Sequence, residues 1–171
     1  MDVLYRLSKR VYKQHPTQTR DSIMQLYNEL YRVAKLYYPQ EGGFCSVIAT
    51  AVATGSPFGK ARSMLYKHGK RVDGHGAYLN LIHKTLGEMG YSVRRLKCSI
   101  WQDMGKEPEY KAKTLISIQR EFKNRKGTFF VYTNRHVTCI KDGVCEDWSN
   151  NEHGRPTKYK VLSVYEVIAN D

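Results

Sequence analysis

The chain has 171 residues, with 28 lysines and arginines against 16 acidic residues, a formal net charge of +12 and an apolar fraction of 41%. That length and apolar content suit one buried core in a single domain, and a 26% charged fraction is ordinary for a globular chain and argues against wholesale disorder. No apolar run approaches the ~18–20 residues that span a bilayer.

The elements follow in chain order. Val3, Leu4, Leu7 and Val11 recur at helical spacing. A second amphipathic helix follows Asp21, through Ile23, Met24, Leu26, Tyr27, Leu30, Tyr31 and Ala34, and ends before Pro39. Gly42-Gly43 then breaks the chain. The small-residue run from Cys45 to Ala53 suits a closely packed buried helix with Cys45 in its first turn. Ser56-Pro57 reads as another helix start with proline at the first helical position. A helix from about 76 to 89 ends at Gly90 and leads into a strand over 91–96. A further helix over 114–122 stops at Gly127. Strands are predicted over 128–133, 136–140, 144–148 and 159–167, with turns at Asn134-Arg135 and Asp142-Gly143. Helices first and an antiparallel meander later predict an α+β fold. The single domain over 1–171 divides into a helical N-terminal extension (1–38), a helical part with the Cys45 helix (39–126) and an antiparallel sheet (127–171).

The start, Met1-Asp2-Val3-Leu4-Tyr5-Arg6, lacks the basic region and apolar run of a signal peptide, so the expected location is the cytoplasm, without membrane contact. Cys45, Cys98, Cys139 and Cys145 are then expected as free thiols, catalytic groups or ligands before disulfides. The basic excess attracts phosphate backbones and anionic partners in general. It is dispersed over Lys9-Arg10, Lys70-Arg71, Arg94-Arg95, Lys123 and Arg125-Lys126, and no helix-turn-helix, RNP or Cys/His finger pattern accompanies it.

Thiol catalysis needs a thiolate, a base to generate it and a group to orient the base. A helix N-terminus favours the anion, and Cys45 stands at such a place with its own backbone N–H available to an oxyanion. The plain alternative is a small buried hydrophobe in a Val/Ile/Ala helix. His136 and Asp147 supply the other two parts under one condition. If Asp142-Gly143 is a two-residue turn, Lys141 pairs with Val144, Thr138 lies opposite Asp147, and His136 and Asp147 become diagonal neighbours on one face. Diagonal neighbours stand ~7–8 Å apart at the backbone, near enough for imidazole and carboxylate to meet. A three-residue loop moves Asp147 to the other face and sets Cys139 opposite Cys145, where a disulfide becomes possible. A reducing compartment favours the two-residue turn.

With these residues the chain resembles a compact papain-like cysteine peptidase domain, of the kind found in bacteriocin-processing peptidases and small phage-encoded proteins. The resemblance runs from about Pro39 to Val167. It is carried by Gln40-Glu41-Gly42-Gly43-Phe44-Cys45 before the small-residue helix, by 128–132 feeding His136-Val137-Thr138-Cys139-Ile140, and by Lys141-Asp142-Gly143 leading to Asp147-Trp148. It implies a central Cys-bearing helix packed on the C-terminal sheet. It also implies Cys45 as nucleophile, His136 as general acid/base, Asp147 as its orienting residue and Gln40 as an oxyanion donor. Gly43, Phe44 and Trp148 would line the site. No metal or other cofactor is called for, and the substrate is a protein or peptide. Gln40 precedes Cys45 by five positions where the family usually has six, and Ser46 stands where many members carry an aromatic. The same fold also serves binding proteins. The alternative function is therefore a catalytically silent module whose basic surface engages an acidic host protein or a nucleic-acid complex, in the host cytoplasm or a virion if phage-encoded.

Overall fold

A computed structural model of the protein describes residues 19–39, 43–68, 77–98, 108–134, 136–146 and 159–171. The helix expected over the first residues, and Gln40, Asp147 and Trp148, lie outside them. Helix α1 (Arg20–Tyr37) starts at Thr19, whose hydroxyl accepts the Ser22 N–H at 3.2 Å. It buries Ile23, Leu26, Tyr27, Leu30 and Ala34, one stripe at helical spacing. Helix α2 (Cys45–Thr54) is buried on every side from Ser46 to Ala53, as its small side chains allow. Helix α3 (Phe58–His68) begins one residue after the expected proline, whose carbonyl accepts the Ala61 N–H. Helix α4 (Leu79–Glu88) leads through Gly90 into strand β1 (Tyr91–Arg95). Helix α5 (Leu115–Glu121) carries a capping box in which Thr114 and Ser117 exchange side-chain and backbone bonds. Strands β2 (Thr128–Thr133), β3 (Val137–Lys141) and β4 (Val161–Ala169) complete the described elements.

The fold is α+β, with five helices and a four-stranded antiparallel sheet among the described residues. Strand order is β1-β4-β2-β3. Phe130, Tyr132, Val137, Cys139 and Val167 face one core, shared with the buried residues of α1 to α4. Phe129, Val131, Ile140 and Val164 face a second core with Leu115, Ile118 and Phe122. The sheet is thus a middle layer, with α2 as the central helix on one side and α5 on the other.

Two expectations change. The sheet is not a C-terminal meander, because β4 inserts between β1 and β2, and the strand expected over 91–96 joins the sheet as its edge strand β1. Of the strand expected over 144–148, the described residues show one bridge, Lys141 with Val144, and Cys145 and Glu146 are not ladder residues. The reason lies along the outer edge of β3, where the site is built.

Candidate active site

Thr133 staples the β2–β3 hairpin. The Thr133 N–H and hydroxyl both donate to the His136 carbonyl, at 2.8 and 2.9 Å, and the Thr133 oxygen accepts the His136 N–H at 2.9 Å. Thr133 and His136 therefore form a hydrogen-bonded pair. Pairs alternate in an antiparallel ladder, so the next pair, Tyr132 with Val137, is not hydrogen-bonded. The polar groups of Val137 then point away from β2. The same holds for Cys139, opposite Phe130, and for Lys141, opposite Thr128.

Because β3 ends the sheet, these groups face its open edge. Each of the three residues finds a partner there. The Val137 N–H is directed at the Cys45 sulfur. The Cys139 carbonyl accepts the hydroxyl of Tyr27 from α1. Lys141 exchanges both backbone bonds with Val144, at 2.9 and 2.8 Å, across a two-residue turn in which Asp142 (φ +48) and Gly143 (φ +76) are both left-handed. A strand continuing past Val144 would need the same edge groups, which Tyr27 and Cys45 already hold. This is why the ladder stops.

Cys45 occupies the first position of α2, with Phe44 as N-cap and Gly43 (φ +69) before it. Its thiol is hydrogen-bonded with the His136 side chain, and the backbone N–H groups of Val137 and Ser46 are aimed at the sulfur. Burial pushes the thiol up. The hydrogen bond and charge of His136, with the two N–H groups, outweigh it and hold the thiol below its ordinary value. At the far end of α2, the Lys141 amine donates to the Val52 carbonyl at 3.2 Å and the Tyr91 hydroxyl to the Thr54 carbonyl at 3.1 Å. A cation there suits the negative end of the helix dipole. The helix is thus anchored to the sheet at both ends, which fixes where Cys45 stands relative to His136.

Cys45 and His136 meet at a narrow hollow lined also by Tyr27, Ile48, Ala49, Val137 and Thr138. It has no room for even a water-sized group, so a substrate must lie across its rim. The His136 ring lies 6.2 Å from the Tyr159 ring, centroid to centroid.

The structure brings two sequence-predicted residues together, Cys45 and His136. Gln40, Asp147 and Trp148 fall outside the described residues. Phe44 is turned into the core, edge-on to Phe58 at 5.4 Å and near Tyr38 at 6.4 Å, and does not line the hollow. The turn at Asp142-Gly143 is the two-residue form, and the Lys141–Val144 pair is present. Among the described residues this pairing ends at Val144, and Asp147 lies outside them. Cys139 and Cys145 pack against different cores, on opposite faces of the sheet, and all four cysteines are free thiols. Cys145 is contacted by the Gln119 amide at 3.3 Å and by Thr138 Oγ1 at 3.4 Å.

Sequence reasoning missed three contributors. Thr133 fixes the backbone of His136, Tyr27 caps the strand edge, and Val137 supplies an N–H to the thiol. The first could be suspected from a threonine directly before a two-residue turn. Tyr27 reads only as one more apolar position on α1. Comparisons with family models, with curated proteins and with solved structures find no match, so the meaning of the site rests on its own geometry.

Proposed function

We propose that the chain is a papain-like cysteine peptidase or a related thiol hydrolase. The observation that carries this reading is the Cys45–His136 pair: a thiol at a helix N-terminus, hydrogen-bonded to an imidazole and held below its ordinary pKa. The Cys45 thiolate attacks an acyl carbon and a C–S bond forms. The His136 imidazolium gives its proton to the departing amine as the C–N bond breaks. Water, deprotonated by His136, then cleaves the thioester; an amine in its place makes the enzyme a transferase. The Cys45 N–H stabilises the oxyanion, with Gln40 as its partner donor. Asp147 is the residue that orients the His136 imidazole.

The test is iodoacetamide labelling at neutral pH, read residue by residue by mass spectrometry. Cys45 is expected to label faster than Cys98, which is 7% exposed, and His136→Ala is expected to slow Cys45 markedly. Equal labelling of Cys45 and Cys98, or labelling of Cys45 that ignores His136→Ala, refutes the reading.

A further inference from the structure

We propose that Lys111, Lys113 and Lys160 form a recognition strip beside the Cys45–His136 hollow, and that its ligand is an acidic peptide; this rests on the thiol-enzyme reading for the identity of the ligand as substrate. The segment before α5 is extended, with Tyr110 and Ala112 buried and Lys111 and Lys113 exposed. It is stitched to the start of β4. The Leu115 N–H donates to the Tyr159 carbonyl at 2.9 Å, the Val161 N–H to the Lys113 carbonyl at 3.0 Å, and Thr114 forms a bridge with Lys160. Lys160 is exposed and directly follows Tyr159, whose ring stands against His136. The strip therefore begins at the rim of the hollow. Lys111 and Lys113 continue it, about 7 Å apart as alternate residues of an extended chain, which is also the repeat of alternate side chains in an extended peptide.

Lys67 pairs with Glu88 at 3.2 Å, and Arg94 with Glu109 at 2.8 Å and Glu166 at 2.6 Å. None of the three strip ammonium groups has an ion-pair partner among the described residues. Glu121, the carboxylate fixed nearest Lys111, accepts its backbone N–H at 3.0 and 3.3 Å. Three unpaired lysines in a row repel one another, and a polyanionic ligand relieves that repulsion. The hollow has no room for a ligand, so a substrate's binding surface must lie outside it. A peptide is favoured over a nucleic acid because thiol and imidazole act on an acyl carbon, which nucleic acids do not offer at their backbone.

The experiment measures fluorescence anisotropy of labelled hexaglutamate with the wild-type chain, with Cys45→Ala, and with the triple variant Lys111→Glu/Lys113→Glu/Lys160→Glu. A control variant, Arg32→Glu/Lys60→Glu/Lys84→Glu, makes the same change in net charge at exposed positions of α1, α3 and α4, which pack on the opposite face of the sheet. The strip variant is expected to bind about tenfold more weakly, the combined effect of three exposed ion pairs, with the control and Cys45→Ala close to wild type. Hexaglutamate should also slow iodoacetamide labelling of Cys45 in the wild type. An equal loss in the control overturns the strip in favour of bulk charge. Binding of a single-stranded oligonucleotide but not of hexaglutamate overturns it in favour of nucleic acid. Hexaglutamate binding that leaves Cys45 labelling unprotected removes the strip from the site. Slow Cys45 labelling in the absence of peptide refutes the thiol reading alone, because binding to Cys45→Ala judges the strip separately.

Discussion

Replacing Gly143 by alanine tests the turn on which the β3 edge depends. A Cβ at Gly143 would stand 1.9 Å from the Lys123 carbonyl oxygen, 2.6 Å from its carbon and 3.0 Å from the Phe122 carbonyl oxygen. Carbon and oxygen do not normally approach closer than ~3.3 Å, so one backbone must retreat by more than 1 Å. Neither can do so freely, since the turn is bonded to β3 and Lys123 directly follows Phe122, which is buried in the second core. Alanine at φ +76 costs ~1–2 kcal/mol for the left-handed conformation alone. Overpacking against fixed backbone adds ~1–3 kcal/mol, for a total of about 2–5 kcal/mol. Gly55→Ala is the matched control. Gly55 has φ +63 with nothing within 4 Å of its Cβ position, so it should lose only the conformational ~1–2 kcal/mol. Urea unfolding followed by circular dichroism measures both, with unchanged slope as the condition for comparing midpoints. Equal losses in the two variants would refute the close approach of the hairpin turn to the end of α5.

The Cys45 labelling rate should hold up below the ordinary thiol pKa and fall only as pH drops through the lowered value, because protonation removes the thiolate; His136→Ala leaves burial as the dominant influence and should move that midpoint above the ordinary value, as a pH series of alkylation rates will show. Over the same range Cys139, whose thiol burial pushes far up, should stay unlabelled in the folded chain. Tyr27→Phe removes the hydroxyl that serves the Cys139 carbonyl and leaves a buried acceptor unpaired, with an expected loss of ~1–3 kcal/mol in urea unfolding. Thr133→Val keeps the side-chain shape but removes its hydroxyl bonds to the His136 backbone; it should cost ~1–2 kcal/mol and slow Cys45 labelling, whereas a loss of stability with unchanged labelling would show that the staple does not position the imidazole.

What could be read from the sequence was what local chemistry determines. The stripe of Ile23, Leu26, Tyr27, Leu30 and Ala34 has helical period, and α1 buries those residues. Asp142-Gly143 tolerates two successive left-handed residues, and a two-residue turn forms there. The pairing of Cys45 with His136 followed from residue types and their order. The place of β1 was not legible, because ladder bonds between β1 and β4 join backbones and leave no mark on nearby side chains. Nor was the early end of the 144–148 strand. Its alternation is strand-like, yet its ladder partners on β3 are taken by Tyr27, 112 residues before Cys139, and by the sulfur of Cys45.

That competition links the site to the architecture. An exposed strand edge presents unpaired N–H and C=O groups and invites pairing with other chains. Here the edge of β3 is closed by a thiol at its start, a phenol in its middle and a tight turn at its end. The thiol can take this place only while the β2–β3 register keeps the Val137 N–H outward. A slip of one residue would turn that N–H toward β2 and would also invert the side chains of the strand. The staple at Thr133 and the turn at Gly143 hold the register from opposite ends of β3, and the lysine at Val52 holds the helix that brings the sulfur. Activation of Cys45 and protection of the sheet edge thus draw on the same backbone groups, so a change that frees the edge also takes the donors away from the thiol.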